Sequence, residues 1–248
     1  MIARVATMAL AACMAWAGTA GAFEVGARAA YWIPQLSGEV RLDDGTRGDT
    51  LDLTDDLGVD DESFFFGDAW LWIGDHHLIL SGTRVDYSGT KTLAGVTFGG
   101  RTFTGRTDAS LEYTQLDLAY RYDLIDLENL LAGFSLGPQI QVKYLDGEVR
   151  LETTGVEESQ SFQIPIPLAG VGGHLGILAD LLEVRAQAVG MGYRGNTIVE
   201  ASAEVSYNPI PFVELVAGYR YFRIDVEADD LTLDYRQAGP YVGIGAKL

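Results

Sequence analysis

The segment LEYTQLDLAYRYD, residues 111–123, alternates between two kinds of side chain. Leu116 and Leu118 fall on one face of an extended strand and Asp117 and Arg121 on the other, because successive side chains of a strand point to opposite sides. A soluble antiparallel sheet turns such a polar face to water. A transmembrane barrel turns it inward and exposes the apolar face to lipid. The fold class therefore depends on whether the polar face meets water outside the sheet or the interior of a barrel.

Alternation with a period of two continues along almost the whole chain after Ala22, with turn residues between the runs. No helical periodicity and no Pro/Ser-rich linker interrupts it. One all-β domain over residues 23–248 follows. We predict ten strands, at 23–36, 63–75, 77–90, 102–123, 130–152, 161–178, 181–194, 197–208, 211–227 and 231–248.

The connections between these strands alternate between short turns and mostly longer, acidic loops. Residues 74–77 and 208–211 are examples of the first kind, and residues 37–63, 153–159 and 227–230 are examples of the second. Bacterial outer-membrane barrels have short turns on one side, longer loops on the other and an even number of strands. A soluble sandwich has no reason to sort its loops in this way, so the pattern favours a barrel.

The charged residues of the strands collect on one face, and the other face is nearly free of charge. In hydrocarbon every backbone group needs an internal partner, so a membrane-spanning sheet must close. We therefore predict a closed antiparallel up-and-down transmembrane β-barrel of about ten strands, with eight strands as the fallback and a large soluble sandwich as the alternative fold. The predicted polar network of the lumen consists of Arg28, Asp68, Arg84, Asp86, Asp117, Arg121, Lys143, Arg185, Glu200, Glu204, Glu214 and Arg220.

Tyrosines accompany the apolar faces, as expected where a barrel meets the two membrane–water interfaces. We assign Tyr31, Tyr87, Tyr120, Tyr122, Tyr219 and Tyr221 to this outer surface. Several strands are longer than a membrane requires, so the upper parts of the hairpins are expected to project as a solvated sheet. Pro165 and Pro167 lie inside the sixth predicted strand, and a closed sheet offers no free edge for them. We expect a bulge there, near the outer rim.

The N-terminus carries the features of an export signal. Arg4, an apolar stretch and the small residues 20–22 predict a signal peptide over residues 1–22. A lipoprotein with Cys13 of LAAC as the acylated residue is the alternative. The formal net charge is −18, and because Arg4 is the only charged residue before Phe23, residues 23–248 carry −19. Such an acidic chain repels nucleic acid, so we expect no nucleic-acid partner. No later apolar run is long enough for a membrane-spanning helix.

Residues 23–248 resemble the small bacterial outer-membrane β-barrel proteins in their paired strands, loop asymmetry and closing AGPYVGIGAKL. The segments similar to an uncharacterised group of these proteins are YWIPQLSGEV, DLTDDLGVDDESF and GYRYFRIDVEADD. The resemblance implies a location in the outer membrane of a Gram-negative cell envelope. We further expect contact with outer-membrane lipid and lipopolysaccharide, and a monomer. It also implies recognition of the C-terminal strand by the barrel-assembly machinery, although family members usually end in an aromatic residue and this chain ends in Leu248.

The histidines do not support an enzyme. His76 and His77 fall in a predicted periplasmic turn, and His174 lies among glycines as a predicted hydrogen-bonded lumen residue. Nucleophilic catalysis requires a base beside the nucleophile, and an omptin-like protease would need Asp and His together at the outer rim. No His-Ser pair occurs in the sequence, so resemblance to the lipid A deacylases fails. The predicted outer loops contain no histidine, so resemblance to the omptins fails as well. We predict no enzymatic activity.

The first long loop is rich in carboxylates. Ca²⁺ takes several oxygen ligands from turns of this kind, so a weak candidate cation-binding loop is Asp55, Asp56, Asp60, Asp61 and Glu62. The spacing does not match an EF-hand, and a solvated acidic loop is the alternative. No other cofactor and no firm metal site is expected.

Three functions are compatible with these features. We expect a structural or surface-interaction role for a barrel with acidic outer loops. A narrow, cation-leaning pore is the first alternative. It would be narrow because ten strands lie close to the eight-stranded barrels whose lumen is filled by side chains, and it would favour cations because acidic residues outnumber basic ones in the predicted lumen and loops. An outer-membrane lipid-modifying or proteolytic enzyme is the second.

Overall fold

The computed structural model describes residues 23–127, 133–177, 181–227 and 230–248. The predicted signal peptide, residues 1–22, lies outside the described residues, as do residues 130–132 of the fifth predicted strand. The strands of the described part are β1 (Phe23–Trp32), β2 (Gln35–Leu42), β3 (Leu51–Asp52), β4 (Phe64–Ile73), β5 (His76–Phe98), β6 (Arg101–Tyr122), β7 (Ile125–Asp126), β8 (Phe134–Thr153), β9 (Val156–Ile177), β10 (Leu182–Tyr193), β11 (Asn196–Ile210), β12 (Val213–Glu227) and β13 (Leu231–Lys247). Within those residues, no helix is long and apolar enough to cross a membrane.

Antiparallel pairing joins the strands into a ring in the order β1-β4-β5-β6-β8-β9-β10-β11-β12-β13. The ring closes where β1 pairs with β13, from Gly26 opposite Lys247 to Trp32 opposite Tyr241. β2 continues β1 beyond residues 33–34 and also pairs with β13. Over the described residues this is a closed antiparallel barrel of ten strands, which confirms the predicted fold. The fallback of eight strands is wrong.

The walls of the barrel change polarity part of the way along each long strand. On β6, Leu116 and Leu118 point outward with 48% and 50% of their surface exposed, and Asp117 points inward and is 5% exposed. Nearer the loops the same strand reverses this arrangement, because Glu112 points outward while Tyr113 is buried inside. We call the section that contains residues 115–122 of β6 and 134–144 of β8 the belt. The section that contains residues 101–114 and 145–153 is the crown.

The belt has the dimensions of a lipid-covered surface. Its apolar outer face on β8 runs from Phe134 to Tyr144 and includes the exposed Ile140 and Val142. Those ten residue steps span about 33 Å at about 3.3 Å each. For a strand tilted by about 40° this corresponds to about 25 Å along the barrel axis, the height of the apolar band of outer-membrane barrels. Tyr31, Tyr120 and Tyr219 are exposed on this outer side, as predicted.

The crown is a sheet structure with its own hydrophobic core. Its inward-facing side chains include Val85, Phe103, Leu151 and Phe222, each exposed by 2% or less. The first long loop, residues 43–63, joins this core and fills the wall between β2 and the upper part of β5. Backbone hydrogen bonds link that loop to both neighbours. Its aliphatic side chains Leu51, Leu53, Leu57 and Val59 are buried.

The two prolines of β9 are accommodated without the predicted bulge. Pro165 pairs in register with Tyr144, and Pro167 with Val142, in an unshifted ladder with β8. On its other side β9 pairs with β10 only from Ala169 downward. Because the pairing between β9 and β10 ends at Ala169 and Gly190, before the prolines, β9 has a free edge at their level, where a missing N–H breaks no ladder hydrogen bond. The expectation of a bulge was wrong because the sheet closes only in the belt.

Candidate functional site

The upper part of the belt lumen holds four charged side chains in mutual contact. Lys143 donates to Asp117 Oδ1 at 2.7 Å and lies 2.8 Å from Glu200 Oε2. Arg220 donates to Glu200 Oε1 at 2.8 Å and to Asp117 Oδ2 at 3.4 Å. Two cations and two anions therefore neutralise each other inside the barrel. Lys143 is fully buried, so its charge depends on these partners.

Strand register brings this upper cluster together, and aromatic rings of the crown cover it. Asp117 on β6 lies directly opposite Lys143 on β8. The Lys143 ammonium is 4.9 Å from the centre of the Phe222 ring. The Arg220 guanidinium carbon is 5.2 Å from the centre of the Trp32 ring. Such cation–π contacts add to the ion pairs and shield the charges from the side of the crown.

A second ionic cluster lies lower in the belt lumen. Arg28 donates through Nε to Asp68 at 2.6 Å and through Nη1 to both oxygens of Glu204 at 2.7 and 2.8 Å. Arg185 lies 3.0 Å from Glu204 and donates to Glu214 through Nη2. Arg28 and Asp68 are opposite each other on β1 and β4. Arginine donors reach two carboxylates at once because the guanidinium is a planar fork.

A third group closes the lower end, where the short turns are. Arg121 donates to Asp123 at 2.8 Å, and Lys247 donates to Glu183 at 2.7 Å. His77 Nε2 is 2.7 Å from Asp123. Asp123, Glu183 and Lys247 were not among the predicted residues of the network. Their strands alternate clearly enough to have indicated the inward positions of Glu183 and Lys247, whereas Asp123 lies just beyond the end of β6.

Register also produces a serine–histidine contact that sequence reasoning missed. Ser135 on β8 lies opposite His174 on β9, and its Oγ is 2.8 Å from His174 Nδ1. Ser135 also hydrogen-bonds Asp123. In a catalytic triad the carboxylate orients the histidine that activates the serine. Here the serine stands between the acid and His174, and it is 1% exposed. The arrangement is that of a structural hydrogen-bond chain.

A polar cavity of about 100 Å³ lies between the upper and lower clusters. Four of the predicted network residues on its wall are Arg28, Asp117, Glu200 and Arg220. It is large enough and polar enough to hold several water molecules. The lumen of the belt is therefore an ionic network around a polar cavity and not an apolar core.

Two residues of the predicted network, Arg84 and Asp86, are not in the lumen. Both lie on the outer face of β5 in the crown, where the Arg84 side chain is 73% exposed and pairs with Glu112 at 3.3 Å. Tyr87, assigned to the outer surface, is instead fully buried in the crown core. All three assignments were wrong for one reason. Outside the membrane the outer face meets water, so the polar side chains lie outside and the aromatic ones inside.

The candidate cation-binding loop uses two of its carboxylates to organise its own backbone. Asp61 accepts a hydrogen bond from the Leu36 N–H at 2.7 Å, and Asp56 accepts one from the Asp52 N–H at 2.9 Å. The backbone N–H groups of Asp55 and Thr54 hold the pKa of Asp52 below its usual value. Across the described residues, no group of three or more His, Cys, Asp or Glu side chains is arranged to hold a metal ion.

No protein-family model matches the chain, and no curated protein sequence matches it. Its structure is similar to that of the outer-membrane protease OmpT from Escherichia coli, with a TM-score of 0.55 and 10% identity over 91% of this chain and 96% of OmpT. Neisserial surface protein A matches with a TM-score of 0.36 and 15% identity, over 91% of this chain and 97% of that one. The attachment invasion locus protein of Yersinia pestis matches with a TM-score of 0.37 and 12% identity, over 93% and 100%.

At these identities the similarity concerns the fold alone, and it rests on the match to OmpT. An antiparallel ring of ten strands, closed by β1 and β13, encloses a charged lumen and presents an apolar belt. The chain therefore has the fold of the bacterial outer-membrane β-barrel proteins.

Proposed function

We propose that this protein is an integral outer-membrane barrel with a closed lumen and that its crown serves a structural or surface-interaction role. The exchange of polarity along the long strands carries the proposal. Leu116 and Val142 mark an outer face suited to lipid, whereas Glu112 and Glu148 mark an outer face suited to water. A protein wholly in water would not expose such a belt of apolar side chains.

The closed lumen is supported by two successive barriers. The ion pairs of Lys143 and Arg220 with Asp117 and Glu200 cross the upper belt. The aromatic core of the crown lies directly above them. Moving an ion along the axis would require breaking buried ion pairs, which is costly without replacement partners. A rigid, non-conducting support for the crown follows.

A narrow, cation-leaning pore is the second candidate, and the polar cavity of about 100 Å³ favours it. Carboxylates at the lower end, Glu183 and Asp123 among them, would favour cations over anions. The pore would need the upper cluster to move aside. A steady conductance would therefore distinguish this candidate from the first.

We propose a non-enzymatic role. Ser135, the serine in contact with a histidine, is buried and bonded to Asp123 as well as to His174. The carboxylates of the crown, such as Asp108 and Glu152, lie on its exposed outer face. Neither set combines an accessible nucleophile with a positioned base.

We propose export through residues 1–22, and assembly through recognition of β13 by the barrel-assembly machinery. The apolar outward positions Val242 and Ile244 support this role for β13. Outer-membrane lipid and lipopolysaccharide would then surround a monomeric barrel. Calcium binding is not part of the proposal, since Asp56 and Asp61 already accept backbone hydrogen bonds.

The test is to express the full chain in a Gram-negative host and compare gel migration of the outer-membrane fraction before and after boiling. A folded barrel resists SDS until it is heated, so the band of the unboiled sample is expected at a different position from that of the boiled sample. The purified protein is then inserted into planar bilayers, where no conductance above the lipid background is expected. A band at the same position in both lanes would overturn the membrane assignment. A stable cation-selective conductance would overturn the closed lumen.

A further inference from the structure

Two arginines face each other on the outer wall at the border between belt and crown. Arg223 of β12 lies directly opposite Arg236 of β13, and both point away from the lumen. Like charges directly opposite each other destabilise a sheet. Each of the two guanidinium groups therefore requires a counter-charge, and the surroundings of the two residues show which of them already has one.

The outer face of β12 and β13 is layered along the barrel axis. Leu215 and Val242 lie in the apolar belt, and Tyr219 is above them, exposed like the aromatic residues of a membrane interface. Tyr221 follows on β12, then the arginine pair, and then the facing pair Asp225 and Asp234. In this order the arginines occupy the level at which lipid headgroups would begin.

The two guanidinium groups differ in their partners. Arg223 donates to Asp234 at 2.9 Å and to Asp225 at 3.2 Å, so the protein supplies its counter-charge. Arg236 lies over the ring of Tyr221, with 5.7 Å from the guanidinium carbon to the ring centre. In the described part of the chain no carboxylate forms a salt bridge with Arg236, which is exposed. The planar N–H donors of the Arg236 guanidinium therefore remain available to bind an anion.

We propose that Arg236, with Arg223 beside it, binds the phosphate of a lipid headgroup in the surrounding leaflet. A guanidinium matches phosphate geometry with two parallel N–H···O bonds. The apolar belt lies directly below and would contact the acyl chains of the same lipid. A free phosphate ion has no acyl chains and would gain nothing from that contact. The carboxylates of Asp225 and Asp234 lie on the far side, so an anion approaches from the membrane. This inference rests on the proposed membrane location.

Arg84 supplies a matched control at the same change of polarity on β5. Leu80 lies below it on the outer face and Asp86 above it. Its guanidinium is paired with Glu112 and has no arginine opposite, since Thr114 occupies that position. Arg84→Gln therefore removes the same charge from the same kind of level without touching the proposed site.

The experiment uses the full chain purified from membranes in detergent and titrated with dioleoyl phosphatidic acid, with bound lipid counted by native mass spectrometry. Dioleoylglycerol, which has the same chains without phosphate, and inorganic phosphate serve as comparison probes. Removing one basic residue near anionic headgroups costs about 1 kcal/mol, or about five-fold in affinity. Arg236→Gln is thus expected to bind phosphatidic acid about five-fold more weakly, and Arg84→Gln within about two-fold of the parent protein.

Arg236→Lys keeps the charge but loses the fork and the stacking plane, so its affinity should fall between those of the parent protein and Arg236→Gln. Equal binding by Arg236→Gln and the parent, or equal losses in Arg236→Gln and Arg84→Gln, would overturn the site. Displacement of the lipid by equimolar inorganic phosphate would overturn the choice of a headgroup as ligand. Heat-modifiable migration is measured on every variant: its absence counts against the membrane proposal, whereas its presence with unchanged lipid binding counts against this inference alone.

Discussion

The belt and the crown are built from the same strands, yet they have opposite polarity. Along β8 the inward positions change from Gln141 and Lys143 in the belt to Leu145 and Leu151 in the crown, while the outward positions change from Val142 to acidic residues. The alternation itself never loses its phase. What changes is the medium outside the wall, which decides whether the apolar or the polar side chains must point inward.

The two interiors are stabilised by different interactions. In the belt, buried charges such as Lys143 and Glu200 depend on each other, since neither can be solvated by bulk water. In the crown, burial of aromatic and aliphatic side chains dominates. The polar groups of the crown core form a small hydrogen-bonded set, in which the Tyr113 hydroxyl is 3.0 Å from both the Tyr235 hydroxyl and Gln237 Oε1. Substitutions in the two regions should therefore have different effects.

The largest effect is expected from removing the charge at the centre of the belt lumen. Lys143→Met leaves Asp117 and Glu200 with Arg220 as their remaining charged partner. Removing one partner of a buried ionic set typically costs about 3–5 kcal/mol. Urea unfolding of the barrel from lipid vesicles, followed by tryptophan fluorescence, measures the free energy of unfolding.

Arg84→Gln, which breaks an exposed pair in the crown, is the matched control for Lys143→Met and should cost less than about 1 kcal/mol. Equal losses in the two variants would show that the belt lumen is open to bulk water, and the contrast between belt and crown would fail.

A smaller effect, but one that addresses the outer surface directly, is expected from arginine substitutions on one face of β6. Leu118 and Thr104 both point outward, the first in the belt and the second in the crown. Arginine on the lipid face near the bilayer midplane costs about 2–4 kcal/mol. Leu118→Arg should lose that amount in the same unfolding assay, whereas Thr104→Arg should change by less than about 0.5 kcal/mol. Comparable destabilisation by both would place the same medium outside belt and crown.

The smallest effect is local and concerns the loop that completes the crown wall. Hydrogen bonds from Asp55 N–H and Thr54 N–H lower the pKa of Asp52 from its ordinary value of 3.8. A lowered folded-state pKa means that the stabilisation is present above 3.8 and is lost as the pH falls through the lowered value. Amide exchange protection of Thr54 and Asp55 should therefore decrease below pH 4, while the belt strands remain protected.

Asp52→Asn keeps an acceptor oxygen but does not titrate, so its loop protection should not change over the same pH range. A parallel decrease in the variant and the parent protein would assign the acid effect to another group.

Several features of this molecule could be predicted from its residues alone. The alternation of Leu116 and Leu118 with Asp117 and Arg121 predicted both the strand and the correct inward face in the belt. The same approach failed at Arg84 and Asp86, because a rule that is valid beside lipid was extended beyond the lipid. The free edge that accommodates Pro165 could not be predicted either, since it depends on where the pairing between β9 and β10 stops.

The contacts within the lumen could not be predicted, because they depend on strand register and on closure of the ring. Arg28 meets Glu204 only after the sheet has closed, and Ser135 meets His174 only in one register of the consecutive strands β8 and β9. A shift of one residue would send each of these side chains to the opposite face of the wall. The in-register pair Arg223 and Arg236 has the same origin.

The period of alternation, the number of strands and the excess of acid follow from the residues alone, since these are local or additive properties of the chain. The folded barrel sets which carboxylate meets which cation, how the first loop fills the wall, and at what height the polarity of the wall reverses. The physical reason is that the free energy of placing a side chain on one face of the wall depends on what surrounds that face. The strand pattern specifies two faces, but ring closure and the surrounding medium specify which of them is inside.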